Sequence, residues 1–207
     1  MGGAFGNGVN DGTNNQPKVN PNPYGGLFGK IIFPASMRHV GSWCFKNHNQ
    51  ITSFDLSKCD GIDGTSYTFG GRTMKCIIEQ YAFANMGGIT EVLLPLNLTS
   101  IEARTFSNAV ALSKITIPSK VCSIGWAAFL GCTALSQVDF ELGTDTNTGT
   151  IGSSAFYDTS ITTIAIPDRF TAIGNRAFWK NLRLSSDNPP IPIPDYYFKS
   201  IDIGDGV

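Results

Sequence analysis

The residues that could do chemistry in this chain are few, and their spacing argues against it. Two histidines, His39 and His48, flank Phe45. A histidine works as a general base only within hydrogen-bond reach of the proton it takes, with a third group orienting its ring. Neither histidine has an acid or thiol in its own phrase of sequence. Asp55 and Asp139 occupy equivalent places in a recurring pattern, three steps apart. Stacked at about 4.8 Å per step they stand about 14 Å apart, beyond the roughly 5–9.5 Å of glycosidase carboxylate pairs. Asp60-Gly61-Ile62-Asp63-Gly64 puts isoleucine where a calcium loop needs an oxygen, and Asp145 to Gly149 is similarly incomplete. No phosphate-cradling loop, dinucleotide fingerprint or His/Cys constellation is present. The expectation is therefore no enzyme, no catalytic residue, no metal and no cofactor. Five cysteines, Cys44, Cys59, Cys76, Cys122 and Cys132, are odd in number and scattered, which fits neither a disulfide framework nor a zinc site. Cys44 and Cys132 are expected as buried thiols. Asn97-Leu98-Thr99 is a glycosylation sequon, meaningful only after secretion in a eukaryote.

The pattern that positions these residues is a repeat. Phe45, Phe83, Phe106, Phe129, Phe156, Phe178 and Phe198 each close a similar phrase, at steps of 38, 23, 23, 27, 22 and 20 residues. Five residues before each stands an aliphatic: Val40, Ile78, Ile101, Ile124, Ile151, Ile173 and Ile193. Ala82, Ala128, Ala155 and Ala177 directly precede the phenylalanine, with Cys44, Thr105 and Tyr197 as departures. Ile117-Pro118 and Ile166-Pro167 share a register with Phe33-Pro34 and Leu94-Pro95. Each phrase reads as one turn of a coil: a short alternating strand, a proline stop, an inward aliphatic and a closing phenylalanine. The fold class is a mainly β repeat solenoid of about six to seven rungs of about 23 residues, with a single continuous core.

Residues 1–26 are rich in Gly, Asn and Pro and read as a flexible arm, with residues 27–207 as one solenoid. Inserts are expected at about 57–74, an irregular stretch with Asp-Gly and Gly-Gly turn signals, and at 141–150, a polar loop. Pro189, Pro190, Pro192 and Pro194 exclude a central strand there, yet Ile201 to Val207 match Ile115 to Val121, so the chain ends in mid-repeat. Such an end exposes apolar rungs, so self-association or a neighbouring chain is expected to cover it. The formal net charge of −1 offers no basic face for nucleic acid. No apolar run approaches the ~20 residues of a spanning helix, so no membrane insertion is expected. The first residues lack the basic start and apolar core of a secretory signal, and Gly6 stands where a myristoylation motif wants Ser or Thr. The chain reads either as a fragment of a longer exported protein, placed at the cell surface or secreted, or as one not exported by the usual route.

The phrase IxIPxxVxxIGxxAFxxCxxL, in Ile115 to Leu135 and partly in Ile164 to Leu182, resembles the BspA-like leucine-rich repeat family over about Phe28 to Val207. The resemblance implies a right-handed leucine-rich-repeat coil with a parallel sheet on its concave face. It also implies a surface or secreted protein of host-associated bacteria or mucosal protozoa, active in adhesion and binding of host proteins. It brings no catalytic residue and no fixed binding motif.

Strand alternation then names the outward positions. One column is Gly29, Thr52, Thr90, Ser113, Ser136 and Thr162; the next is Lys30, Ser53, Glu91, Lys114, Gln137 and Thr163; the third is Ile32, Asp55, Leu93, Thr116, Asp139 and Ala165. Thr52, Asp55, Thr90, Glu91, Ser113, Lys114, Thr116, Ser136, Gln137, Asp139 and Thr162 are the candidate binding residues for a protein or glycan partner. Ser and Thr also suit an exposed β-surface with no ligand at all. Tyr157 and Trp179, each directly after a repeat phenylalanine, form a candidate aromatic patch if exposed, and packing between turns is the competing reading. The expected function is non-catalytic protein interaction or adhesion through the concave face or loops. The alternative is a structural component of a larger assembly, such as a virion appendage or scaffold, whose arm and open C-terminal rung are covered by neighbouring chains.

Overall fold

The structure, a computed structural model, describes residues 29–143, 147–179 and 200–203. The strands follow the repeat. In chain order they are β1 (Lys30–Ile32), β2 (Ser53–Asp55), β3 (Ser66–Phe69), β4 (Arg72–Lys75), β5 (Glu91–Leu93) and β6 (Ser100–Ile101). There follow β7 (Lys114–Ile117), β8 (Ser123–Ile124), β9 (Gln137–Phe140), β10 (Gly149–Ile151), β11 (Thr163–Ile166), β12 (Phe170–Ile173) and β13 (Ser200–Ile203). The described residues form a mainly β parallel solenoid and contain no helix.

Each regular rung gives one strand to a first sheet, turns, and gives another to a second. Proline sets the turn, because it cannot donate to a ladder but its carbonyl can accept. Pro34, Pro95, Pro118 and Pro167 each accept from the N–H three residues on, in Met37, Leu98, Val121 and Phe170. The second sheet runs β12-β10-β8-β6, every pair parallel, with Ile101, Ile124, Ile151 and Ile173 in register and Val40 bridged to Ile78. The aliphatic column read from sequence is thus a row of paired residues.

The first sheet is parallel within each of its bonded groups. It is bonded in three groups, β1-β2-β5, β7-β9 and β11-β13. Within a group, Ile31, Phe54 and Val92 stand level, as do Ile115 with Val138. Between β5 and β7, and between β9 and β11, the strands lie side by side without a ladder. The core tolerates this because its inward side chains are continuous across the gaps: Val92, Ile115, Val138 and Ile164 are all buried in one cluster. Backbone Ser200 to Ile203 pairs level with Thr163 to Ile166, the register expected from the match to Ile115-Thr116-Ile117. Ile193, Phe198 and the proline-rich stretch before them lie outside the described residues.

The phenylalanines form one column. Phe45, Phe83, Phe106, Phe129, Phe156 and Phe178 stack with centroids 5.6, 5.4, 5.4, 5.1 and 5.2 Å apart and interplanar angles of 11°, 10°, 11°, 3° and 5°. Parallel rings at that separation are offset-stacked, worth about 0.5–1.5 kcal/mol per pair beyond burial. The turn carrying each ring is bonded to the next: the N–H groups of Phe45, Phe83, Phe106, Phe129 and Phe156 donate to the carbonyls of Ala82, Thr105, Ala128, Ala155 and Ala177. These acceptors are buried, which is why that place holds small residues. At Gly125 the packing is tighter still, since an added Cβ would lie 2.6 Å from the Ala103 nitrogen of the preceding rung.

The stretch read as an irregular insert contains a regular element. β3 and β4 pair antiparallel, Tyr67 level with Met74 and Phe69 with Arg72. Gly70 and Gly71, at φ of 57° and 76°, form the two-residue turn that both positive angles demand. The loop before it is anchored by buried Leu56, Cys59 and Ile62.

All five cysteines are free; Cys59, Cys76 and Cys132 are buried, while Cys44 and Cys122 are half-buried. Burial pushes the Cys132 thiol up to about 12, and its Sγ lies 3.1 Å from the Phe106 carbonyl. Two outcomes are expected. Phe106→Ala should lower stability by about 3–5 kcal/mol in a urea melt, the usual range for a buried phenylalanine. A thiol-reactive dye should label at most Cys44 and Cys122 in the native protein, and all five in denaturant.

Candidate functional site

The first-sheet face carries the residues selected from sequence. Thr52, Thr90, Glu91, Ser113, Lys114, Thr116, Ser136, Gln137 and Thr162 are exposed; Asp55 and Asp139 are half-buried. Ser53, placed outward in the same pattern, is only 8% exposed. It stands level with Lys30 and Glu91, so a small side chain is shaded by two long ones.

The hydroxyl column is less free than its composition implies. Thr52 donates to the Gly29 carbonyl, Thr90 to the Thr52 carbonyl at 3.1 Å and Ser136 to the Ser113 carbonyl at 3.5 Å. A hydroxyl has one proton to give, so these three face solvent as acceptors. The more versatile cluster lies in the next columns. Lys114 Nζ stands 2.9 Å from Asp139 Oδ2, and Gln137 Nε2 donates to both Asp139 oxygens at 3.1 and 2.9 Å. Asp55 takes both the N–H and the hydroxyl of Ser57, with Lys30 Nζ at 3.7 Å. Asp55 and Asp139 are not brought together.

Where β9 and β11 part, a shallow groove of about 460 Å³ opens, lined by Gln137, Asp139, Leu142, Thr163, Ala165 and Asp168 among others. Arg169 pins its rim: the guanidinium donates to the Val121 and Glu141 carbonyls and lies against the Phe140 and Phe170 rings.

The histidine that lacks a partner in its own phrase finds one in the next rung. His39 Nε2 is 3.5 Å from Glu79 Oε1, and His39 Nδ1 is 2.8 Å from the Lys75 carbonyl. Ser42 Oγ donates to Glu79 Oε2 at 2.6 Å, and the Ser42 N–H donates to the same oxygen at 2.8 Å. The three residue types of a hydrolytic triad are present in the wrong order. The carboxylate sits between serine and imidazole, so no ring nitrogen is aimed at the hydroxyl it would deprotonate. Burial raises the Glu79 carboxyl, but the two Ser42 hydrogen bonds and the His39 charge outweigh it and hold it below the usual range. This cluster ties two rungs together. Among the described residues no group of three or more His, Cys, Asp or Glu could hold a metal ion, and no helix is long and apolar enough to cross a membrane.

A ridge along the phenylalanine turns was only partly legible in sequence. Trp179 is 40% exposed and meets Tyr157 edge-on at 5.3 Å, with the Arg176 guanidinium 5.0 Å from the Trp179 ring. At the other end Trp43, Tyr81 and Arg104 each stand two residues before a stacked phenylalanine, at φ of 58°, 59° and 55°. Trp43 and Tyr81 rings lie 5.9 Å apart, and the Arg104 guanidinium is 5.8 Å from Tyr81 and 4.2 Å from Trp126. Lys46 Nζ is 5.9 Å from Tyr81. Cation–π contacts of this kind contribute about 0.5–2 kcal/mol. The signal was available as an aromatic or arginine at a constant offset from Phe, but adjacency of the offsets needs the turn geometry.

The Lys114 contact, followed by the Gln137 hydrogen bond, holds the Asp139 carboxyl below the ordinary carboxylate value. Its small stabilisation is present at neutral pH and is lost as pH falls through that lowered value. Lys114→Met should move the Asp139 titration upward in an NMR pH series.

The same architecture recurs in known proteins. A leucine rich cell surface protein from Faecalibacterium prausnitzii A2-165 is similar at a TM-score of 0.55 and 25% identity, over 72% of this chain and 35% of that one. The pneumococcal vaccine antigen PcpA is similar at a TM-score of 0.56 and 17% identity, over 88% of this chain and 42% of that one. The chain thus spans less than half the length of either structure. No curated protein matches it. A family model described as a BspA type leucine rich repeat region matches residues 24–75 and 72–185, in six copies. The chain belongs to the BspA-type leucine-rich repeat family.

Proposed function

We propose that this chain is a non-catalytic binding module of a cell-surface protein, engaging a protein partner through its first-sheet face. The observation that carries the reading is the exposure of the same polar columns in rung after rung: Thr52, Thr90, Ser113, Ser136 and Thr162 in one row, Glu91, Lys114 and Gln137 in the next. Parallel rungs hold these rows at fixed spacing, and an extended regular face is what solenoids use to bind. The Lys114–Gln137–Asp139 cluster and the adjoining groove supply charge, amide and a few apolar atoms at one place on that face. Interfaces gain their specificity from such central groups, with surrounding contacts excluding water. The surface placement is supported by the Faecalibacterium protein, whose description names a cell-surface protein. The triad-like cluster at Ser42, Glu79 and His39 supports a non-catalytic reading, because its order leaves the hydroxyl without a base.

The test is binding of the folded chain to a panel of immobilised extracellular-matrix and cell-surface proteins by surface plasmon resonance. A variant carrying Thr90→Glu, Ser113→Glu, Lys114→Glu and Ser136→Glu should lose at least about tenfold in affinity for any protein the parent binds, because four new carboxylates cross the contact. Unchanged affinity in a variant with unaltered circular dichroism would rule this face out.

A further inference from the structure

The ridge over the phenylalanine turns has a chemistry unlike that of the sheet face. Trp43 and Trp126 are 57% and 48% exposed, although each touches a neighbour on the ridge. Between them stands Arg104, its guanidinium 5.8 Å from the centre of the Tyr81 ring and 4.2 Å from that of Trp126. Its Nε is sealed from solvent without a hydrogen-bond acceptor, and among the described residues no carboxylate pairs with it. The acids nearest Tyr81 and Arg104 in sequence are engaged elsewhere: Glu79 with Ser42 and His39, Glu102 with the Ser100 hydroxyl. The result is a fixed, uncompensated cation set among flat aromatic rings, with Lys46 beside Tyr81 as a second positive charge.

We propose that this ridge binds an anionic glycan, a linear chain of sugar rings bearing carboxylate or sulfate groups. Three features select that class. A guanidinium set between two rings, its Nε sealed from solvent, keeps its terminal N–H groups for an oxyanion, which such a fork binds in two-point geometry. The rings follow one another rung by rung, Trp43 to Tyr81 at 5.9 Å and on through Arg104 to Trp126. A chain lying along the solenoid thus meets an aromatic ring or a guanidinium at each step, and the C–H face of a pyranose stacks on aromatic rings. The main chain of the ridge is consumed internally. The N–H groups of Phe45, Tyr81, Phe83, Arg104 and Phe106 all donate to carbonyls of the following rung. An extended peptide therefore finds no edge on which to add a strand, whereas a stacked sugar needs none. Arg176 beside Trp179 and Tyr157 repeats the same pairing of cation and ring at the far end of the ridge.

The inference is independent of the sheet-face reading, and the experiment separates them. Isothermal titration calorimetry of the full chain would use heparin and polygalacturonate as anionic glycans, dextran as the neutral glycan and polyglutamate as the peptide polyanion. At least one anionic glycan should bind, with an affinity that falls as salt rises, while dextran and polyglutamate bind at least about tenfold more weakly. Arg104→Asn removes the guanidinium while keeping a residue type that accepts the left-handed backbone, as Asn47, Asn85 and Asn108 do two residues after each phenylalanine. Trp126→Ala removes a ring without touching a strained position. Each should weaken glycan binding at least about tenfold with the thermal melt preserved, and Ser113→Ala/Thr116→Ala on the sheet should leave it unchanged. Absence of binding by both anionic glycans overturns the proposal. So do equal binding of dextran or polyglutamate and full affinity in both ridge variants.

Discussion

The stack of phenylalanine rings is the constraint on which the rest of this solenoid depends. Six rings lie nearly parallel and 5.1–5.6 Å apart from Phe45 to Phe178. That separation is compatible with strands about 4.8 Å apart only if each ring is offset from the next. Every rung must therefore bring its phenylalanine to the same place, whatever happens elsewhere in its circuit. The 38-residue step between Phe45 and Phe83 shows the rule. The extra length leaves the coil as the β3–β4 hairpin and its loop, and the rings of Phe45 and Phe83 still meet at 11°.

A column so strict leaves its mark on neighbouring positions. The residue before each ring from Phe83 to Phe178 is small and buried because its carbonyl accepts from the previous turn. The residues two before each ring, and two after each ring from Phe45 to Phe156, take left-handed backbone, which is unfavourable for most side chains. Two after the ring the chain uses Asn47, Asn85, Asn108, Gly131 and Asp158, types that tolerate the conformation. Two before it stand Trp43, Tyr81, Arg104, Ala127, Ser154 and Arg176, which do not share that tolerance. The stack and the hydrogen bonds of the turn hold them there. The same strained place is where the ridge presents Trp43, Tyr81, Arg104 and Arg176, so one geometric requirement produces both the core and part of a surface.

The solenoid accordingly offers two unlike faces. The first sheet presents short polar side chains whose hydroxyl protons are partly committed to carbonyls of the preceding rung. The turn ridge presents aromatic rings beside Lys46, Arg104 and Arg176. Both faces are built on the repeat of the BspA-type leucine-rich repeat family, whose stacked rungs set the rows of outward side chains.

Much of this was legible in the sequence. The phenylalanine, aliphatic and proline columns determine the rung, its phase and its inward residues, because a residue that must sit at one depth in every turn is seen at one offset in every phrase. The outward columns of the first sheet follow by strand alternation, with Ser53 the one shaded by its neighbours. Local turn chemistry was legible too, since Gly70-Gly71 between two alternating runs is a hairpin signal. What only the tertiary structure decided were relations between rungs. Glu79 reaches His39 across a 40-residue separation, Arg104 slides between Tyr81 and Trp126, and β9 separates from β11 although both keep their inward residues. Periodicity specifies which positions stack. It does not specify side-chain direction at a left-handed turn or whether two level strands close their ladder, because those depend on contacts between residues a full rung or more apart.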